Sequence, residues 1–295
     1  MGQFHDSTRR GLSRRGLLKA SLWGSLGLAL YSGELERHWI ETTFLEMPLP
    51  GLSPVFEGMR VVQISDIHMD EFTEAFFLRH VVDTVNTLKP EIVLLTGDFV
   101  SEGPASRRFA RGAAWQCAEL LDGLDCRARY AILGNHDVLV GKYVVQQALS
   151  SHGVTVLDND YVPIERGGAR WWLAGVDDPL AGNPQPESAI PESIRHKSGE
   201  PVVLMCHGPD YADALIQQAA GQAVHLMLSG HTHGGQVKLP FLTRLKLPIM
   251  GRKYVEGRFT VGSMQLYVNR GIGTVGIPFR LACPPEITLI TLRHA

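Results

Sequence analysis

Along the 295-residue chain, short apolar runs alternate with longer segments whose apolar positions recur every three or four residues. "MRVVQISD" (59–66) is an apolar run closed by a polar tip, the pattern of a strand covered on both faces. In "EAFFLRHVVDTVNTLKP" (74–90), Phe77, Val81, Val85 and Leu88 fall at helical spacing and Pro90 ends the segment. "EIVLLTGD" (91–98) predicts a second buried strand and "SRRFARGAAWQCAELLDGL" (106–124) a second helix. "ARYAILGNHD" (128–137) predicts a third strand, and "GKYVVQQALSSHG" (141–153) a third helix that Gly153 stops. This βαβαβα order predicts parallel strands with helices laid over them.

Beyond residue 153 the texture changes. "VTVLDND", "YVPIERGG" and "ARWWLAGVDD" (154–178) predict successive short strands, followed by a Pro-rich loop at 179–193. "EPVVLMCHGPD" (200–210) predicts a buried strand, "YADALIQQAAG" a short helix, and "AVHLMLSGHTHGG", "MQLYVNRGIG" and "EITLITLR" further strands. No internal repeat interrupts the series. Residues 59–295 therefore predict one α/β domain, a four-layer α/β/β/α sandwich of two mixed sheets with outer helices. Residues 34–58, with "MPLPGLSP", read as a mixed lead-in to it.

Composition adds two constraints. At 44% hydrophobic and 20% charged, the chain can bury a large core. The formal net charge of -2 is unevenly spread: Arg9, Arg10, Arg14, Arg15 and Lys19 against Asp6 give residues 1–31 a net of +4, which leaves -6 for the remainder. An acidic body lacks the basic face that nucleic-acid binding needs. Cys117, Cys126, Cys206 and Cys283 have no CxxC spacing and read as buried apolar thiols, with a Cys117–Cys126 disulfide as the alternative.

The first 33 residues read as an export leader. Basic residues precede an apolar stretch, Ala20 to Tyr31. A spanning helix wants about 20 residues, so this shorter stretch suits a signal-peptide core. "SRRGLLK" (13–19) resembles the twin-arginine export signal. That implies the twin-arginine translocase as a partner and a place in the periplasm or on the outer face of the cytoplasmic membrane. No A-x-A site follows the apolar run, so the leader is also expected to serve as a membrane tether.

The predicted strands share a feature at their tips. "QISDIH" ends in Asp66 and His68, "LLTGD" in Asp98, "ILGNHD" in Asn135, His136 and Asp137, "LMCH" in His207, and "LSGHTHGGQ" (228–236) carries His231 and His233. Ligands of open α/β sheets bind beyond the carboxyl ends of the strands. Residues i and i+2 of a strand share a face, so the last two histidines suit a metal site. Gly97, Gly134 and Gly230 beside these residues allow close backbone approach.

The blocks DxH, GDx, GNHD, an isolated His and GHxH, in that order, resemble the calcineurin-like metallophosphoesterase superfamily over residues 59 to about 290. "LYVNRGIGTVGIPFR" and "CPPEITLITLR" further resemble its bacterial branch of small exported or membrane-associated phosphoesterases. The resemblance implies two divalent metal ions (Mn, Fe, Zn or Co), about 3.5–4 Å apart, that clamp a phosphoryl group and activate water against a phosphodiester or pyrophosphate. It implies Asp98 as the shared ligand, Asp66, His68 and His233 on one ion, and Asn135, His207 and His231 on the other. It gives His136 the role of general acid at the leaving oxygen, with Asp137 orienting its imidazole. A metal-binding scaffold without catalysis and a nuclease of the same superfamily are the alternatives.

Weaker candidates surround these blocks. Asp70 and Glu71 read as loop acids, and Asp177 and Asp178 as residues shaping the substrate side. His80, His152, His196 and His225 match no motif. Residues 237–254 interleave Lys238, Arg244, Lys246, Arg252 and Lys253 with Leu239, Phe241, Leu242, Leu245, Leu247, Ile249 and Met250. That composition suits either a partly buried connection or contact with an anionic membrane surface and a lipid-linked substrate.

Overall fold

A computed structural model describes residues 13–295 apart from 70–71, 104–108, 196, 198, 240–242 and 244–246. Asp70, Glu71, His196, Arg244 and Lys246, with Pro240, Phe241, Leu242 and Leu245, lie outside the described residues. The first strands are β1 (Glu41–Leu49), β2 (Arg60–Ile64), β3 (Ile92–Leu95), β4 (Ala128–Ala131), β5 (Val154–Val156) and β6 (Asp160–Arg166). They are followed by β7 (Ala169–Gly175), β8 (Val202–Met205), β9 (Val224–Ser229), β10 (Gly257–Val261), β11 (Met264–Val268) and β12 (Glu286–His294). The longer helices are α1 (Arg14–Leu30), α2 (Ala75–Thr87), α3 (Ala110–Leu121) and α4 (Asn135–Ser151).

The strands form two six-stranded sheets, ordered β1-β12-β2-β3-β4-β5 and β10-β11-β9-β8-β7-β6. β2 through β5 are parallel, as the βαβαβα order requires, while β12 runs antiparallel to β2. The second sheet combines antiparallel hairpins at both edges with parallel β7, β8 and β9 at its centre. Both sheets are mixed, and the expected sandwich is what the chain adopts. Its middle layer buries Val61, Ile92, Leu94 and Ile290 of one sheet against Trp171, Leu173, Met205 and Leu228 of the other. The helical stripe of α2, Phe77, Val81 and Val85, joins Cys117 and Leu121 of α3 on the outer face of the first sheet. Short helical turns carrying Ala189, Ala212, Leu215 and Ala220 cover the second.

Three elements depart from the sequence pattern. β1 lies inside the segment read as a lead-in and pairs in parallel with β12 along its whole length. Only its last residues alternate into the core, and Pro48 is tolerated because the strand is an edge. β10, a hairpin partner of β11, carries the alternation of a half-exposed edge rather than an apolar run. α4 begins at Asn135, earlier than the periodic stretch at 141–153, and breaks at Gly141, whose φ is 140°. The early start follows from Asp137, whose carboxylate accepts the Gly134 N–H at 3.0 Å and caps the first turn.

All four cysteines are free thiols; Cys117, Cys206 and Cys283 are buried and Cys126 is half-buried. α1 buries none of its residues, and Leu17, Leu18, Leu22, Trp23 and Leu26 stand exposed along it. No described helix is long and apolar enough to cross a membrane. The turns that follow α1 do pack on the body. Ser32 O accepts the Arg280 N–H at 2.9 Å, Glu36 Oε1 accepts the Cys283 N–H at 2.7 Å, and Arg37 donates to Phe72 O at 2.8 Å.

Candidate active site

The carboxyl ends of β2, β3, β4, β8 and β9 meet at one rim, and each delivers its polar tip there. Asp66, His68, Asp98, Asn135, His207, His231 and His233 are all buried. Five of them, Asp66, His68, Asp98, His231 and His233, have φ between 51° and 74°, among the ten described non-glycine residues with positive φ. The left-handed region costs an L-residue roughly 1–2 kcal/mol, so concentrating it at one rim is a price the local fold sustains through its hydrogen bonds. His231 and His233 therefore lie in a turn beyond β9, not in the strand, and the shared-face argument does not apply to them. They diverge: the His231 ring packs against His207, and the His233 ring against His68, with centroids 5.0 and 4.9 Å apart. At Gly97, φ is 98° and a Cβ would come within 2.6 Å of Gly134 N and 2.8 Å of His207 Nδ1, so the β3 and β4 tips can touch only through glycine.

Three groups of ligand-type side chains result: Asp66, His68 and His233; His68, Asp98 and His136; Asp98, His207 and His231. Asp98 joins two of them. Its Oδ2 lies 3.0 Å from His207 Nε2 and 3.7 Å from His68 Nε2, while its Oδ1 accepts the His136 N–H at 2.9 Å. His68 Nε2 is 3.1 Å from His233 Nε2, which is 3.5 Å from Asp66 Oδ1.

The donor set fits metal ions. His207 Nδ1 donates to Thr96 O at 2.7 Å, His231 Nε2 to Ile249 O at 2.7 Å and His233 Nδ1 to Gly273 O at 3.3 Å. A carbonyl can only accept, so each of these nitrogens carries a proton, and in the neutral ring the other nitrogen presents a lone pair to the site, the arrangement usual for metal-ligating histidines. Ligands about 2.0–2.2 Å from an ion stand roughly 3–3.5 Å from one another, which matches the separations above. Buried Asn135 Oδ1 has no hydrogen-bond partner, and His207 Nε2 makes none despite its nearness to Asp98. Burial pushes His68 down to about 3 and His231 to about 4, and takes His233 well below its ordinary value, so these rings are neutral. Burial opposes a charge on His207 too, but the Asp98 carboxylate outweighs it and raises that pKa well above the ordinary value. The site thus calls for positive charge beside Asp98.

Asp98, Asn135, His136, His231 and His233 line a cavity of about 380 Å³. Its upper walls are apolar: Leu180, Val237, Pro248, Val275 and Ile277. Residues 59–235 match the family model described as calcineurin-like phosphoesterase. The chain belongs to this family. It is 33% identical, over 96% of its length and 98% of the other, to the metallophosphoesterase YkuE of Bacillus subtilis. It is 28% identical, over 95% of its length and 99% of the other, to the phosphodiesterase YaeI of Escherichia coli. A Staphylococcus aureus chain assigned as a 5′-nucleotidase shares its fold, with a TM-score of 0.50 at 14% identity over 80% of this chain and 54% of that one. Like its family, this calcineurin-like phosphoesterase is a hydrolase that works with two divalent metal ions.

The surroundings correct one assignment and add residues that sequence motifs did not single out. Asp137 does not reach the His136 imidazole. Its Oδ2 accepts N–H groups of Asp98 and Gly134, and its Oδ1 those of Phe99 and Val100, at 2.8 to 3.2 Å. It fastens the loop after β3 to the start of α4. The His136 Nδ1 instead accepts the Glu102 N–H at 2.8 Å, which leaves the ring's proton on Nε2. Ser101 Oγ meets His68 Nδ1 at 2.8 Å, and Gln63 Nε2 bridges the sheets beneath the site through Thr96 Oγ1 and Ser229 O. Fully buried Arg280 donates to the carbonyls of Arg270, Gly271, Gly273 and Cys283, and Gly273 O is the carbonyl that holds His233. Its only sequence cue is a polar, glycine-rich stretch between two apolar strands. Asp177 and Asp178 organise the 178–183 loop by accepting its N–H groups, and Leu180 of that loop lines the cavity.

Asp137→Asn is expected to destabilise the protein, because the new amide NH2 must face two N–H donors. Each hydrogen bond left unmade while buried costs about 1–3 kcal/mol. Denaturant unfolding should show the loss with metal present or removed; an unchanged midpoint would show that Asp137 does not carry the loop.

Proposed function

We propose that this chain is an exported phosphodiesterase acting on a phosphodiester or pyrophosphate that carries a lipid. The observation that carries the catalytic half is the set of adjoining ligand groups, two of them containing Asp98, that reach one cavity through Asp98, His136, His231 and His233. Asp66, His68 and His233 would hold one ion, Asn135, His207 and His231 the other, with Asp98 common to both. Ions bound there would neutralise charge on the phosphoryl oxygens and supply a nucleophile from water at neutral pH. The chain's own part is positional. Asp98 Oδ1, through the His136 N–H, sets the start of α4 so that His136 faces the cavity. With Nδ1 engaged as an acceptor, His136 is neutral and acts as a hydrogen-bond donor from Nε2 to a phosphoryl or leaving oxygen. This replaces the imidazolium acid, oriented by Asp137, that the motif suggests.

The apolar walls support the lipid-linked substrate. Leu180 and Ile277 are exposed at the mouth, and Leu239 and Ile249 stand exposed on the adjoining segment 237–254. Lys238 of that segment is paired with Glu256, and Lys253 with Asp213, so these two charges are offset within the protein. The acidic body weighs against a nuclease. "SRRGLLK" at the start of α1 supports twin-arginine export, and the exposed apolar residues of α1 support a retained tether at the membrane's outer face.

Metal removal is expected to abolish hydrolysis of a chromogenic phosphodiester, and metal re-addition to restore it; activity in metal-free protein would refute the site. His136→Ala should keep its metal content yet lose about 10²–10³-fold in kcat, the range for removing one transition-state hydrogen-bond donor, whereas Asp98→Ala should lose metal. Ile277→Ser is expected to raise KM for an acylated phosphodiester and leave a short soluble diester unaffected; equal effects on both would remove the lipid from the proposal. Changing Arg14 and Arg15 to Lys should hold the folded protein in the cytoplasm, and cell fractionation that finds it exported would rule out the twin-arginine route.

A further inference from the structure

A second cavity of about 450 Å³ opens where the turns after α1 meet the body. Tyr31, Trp39, Glu36, Glu41 and Arg270 contribute to its lining. It shares no lining residue with the phosphoester cavity, although residues 270–284 supply part of the wall of each. Glu36 is only 4% exposed. Its Oε1 accepts the Cys283 N–H at 2.7 Å, while its buried Oε2 makes no hydrogen bond of ordinary geometry and has the Tyr31 side chain beside the carboxylate, whose charge raises that tyrosine's pKa. A buried carboxylate oxygen left unsatisfied is costly unless something supplies positive charge. The neighbouring guanidinium does not: Arg270 is committed to Glu286 at 3.1 Å and to Glu41 at 3.0 Å. Among the charged residues that line the cavity, Glu36 and Glu41 outnumber Arg270, so its lining is net negative.

Two aromatic side chains stand at this negative cavity with surface still open to a ligand: Trp39 is 66% exposed and Tyr31 41%. Aromatic faces beside a carboxylate are the recognition chemistry of ammonium cations, whose charge the ring quadrupole attracts and whose carbon atoms the rings cover. A bare divalent cation is a poorer match, because the cavity offers two carboxylates, one already tied to arginine, and no histidine or cysteine. We propose that this cavity binds an organic ammonium group, seated against Trp39 and Tyr31 with its charge facing Glu36. Tyr31 directly follows the exposed apolar helix α1, so an amine-bearing lipid headgroup and a free amine share the chemistry that the site reads.

The test uses the full chain with its metals and follows tryptophan fluorescence and calorimetry during titration with ethanolamine and choline. Saturable binding is expected, weakened by about tenfold or more in Trp39→Ala and in Glu36→Gln. Trp39 is exposed, so its variant keeps the test valid if the buried Glu36 variant fails to fold, and hydrolysis of a soluble diester by Trp39→Ala reports an intact body. Vesicles of phosphatidylethanolamine, compared with phosphatidylglycerol, separate the sources. A headgroup preference that choline competes away and Trp39→Ala abolishes assigns the lipid; binding of free amine without that preference assigns a soluble amine. No saturable binding of either amine, or equal binding by Trp39→Ala, overturns the proposal.

Discussion

The Asp137 carboxylate is the interaction on which the site depends. Four backbone N–H groups converge on it, three from residues 98–100 and one from Gly134. Those donors would otherwise be unpaired in a dry interior, since neither β3 nor α4 can satisfy them. By accepting them all, Asp137 holds the tip of β3 against the first turn of α4 and sustains the left-handed conformation of Asp98. The rest follows geometrically. Asp98 then reaches His68 on one side and His207 on the other, and its second oxygen fixes the His136 backbone. A residue that touches no proposed ligand side chain thus sets the separation of the two ligand groups.

Much of this was legible in the sequence, and the reasons are specific. Strands buried on both faces read as continuous apolar runs, so β2, β3, β8 and β9 announce themselves, and each run ends where its polar residue enters the rim. β1 and β10 did not, because an edge strand buries few residues and tolerates Thr, Glu and Pro in the pattern of a loop. The residue types at the rim were legible too, but their conformations were not. Two histidines one residue apart suggested a strand face, whereas positive φ at both turns them toward different neighbours. Asp137 was misread too: adjacency to His136 suggested a side-chain pair, and only three dimensions show that the N–H groups of residues 98–100 and of Gly134 take the carboxylate.

The segment 269–284 has a different logic. It forms no strand, yet its backbone is fixed by Arg280, whose guanidinium satisfies four carbonyls that a loop in the interior would leave bare. An arginine can do this without a carboxylate partner because each carbonyl contributes partial negative charge, although burial lowers its pKa. The same carbonyls and N–H groups reach Ser32 and Glu36 at the foot of α1 and His233 in the site.

That continuity joins two regions that the sequence presents as separate, a leader and a catalytic body. The turns at 31–38 are packed elements of the fold, with Ser32 and Glu36 buried against the segment that holds a site histidine. A cut within the apolar run of α1 would spare these contacts, whereas a cut beyond Glu36 would strip the Cys283 N–H of its acceptor and loosen the wall above His233. The contacts that hold the wall above His233 are therefore intact only when the body begins upstream of Ser32, and the foot of α1 is joined to the active cavity through the 270–284 segment.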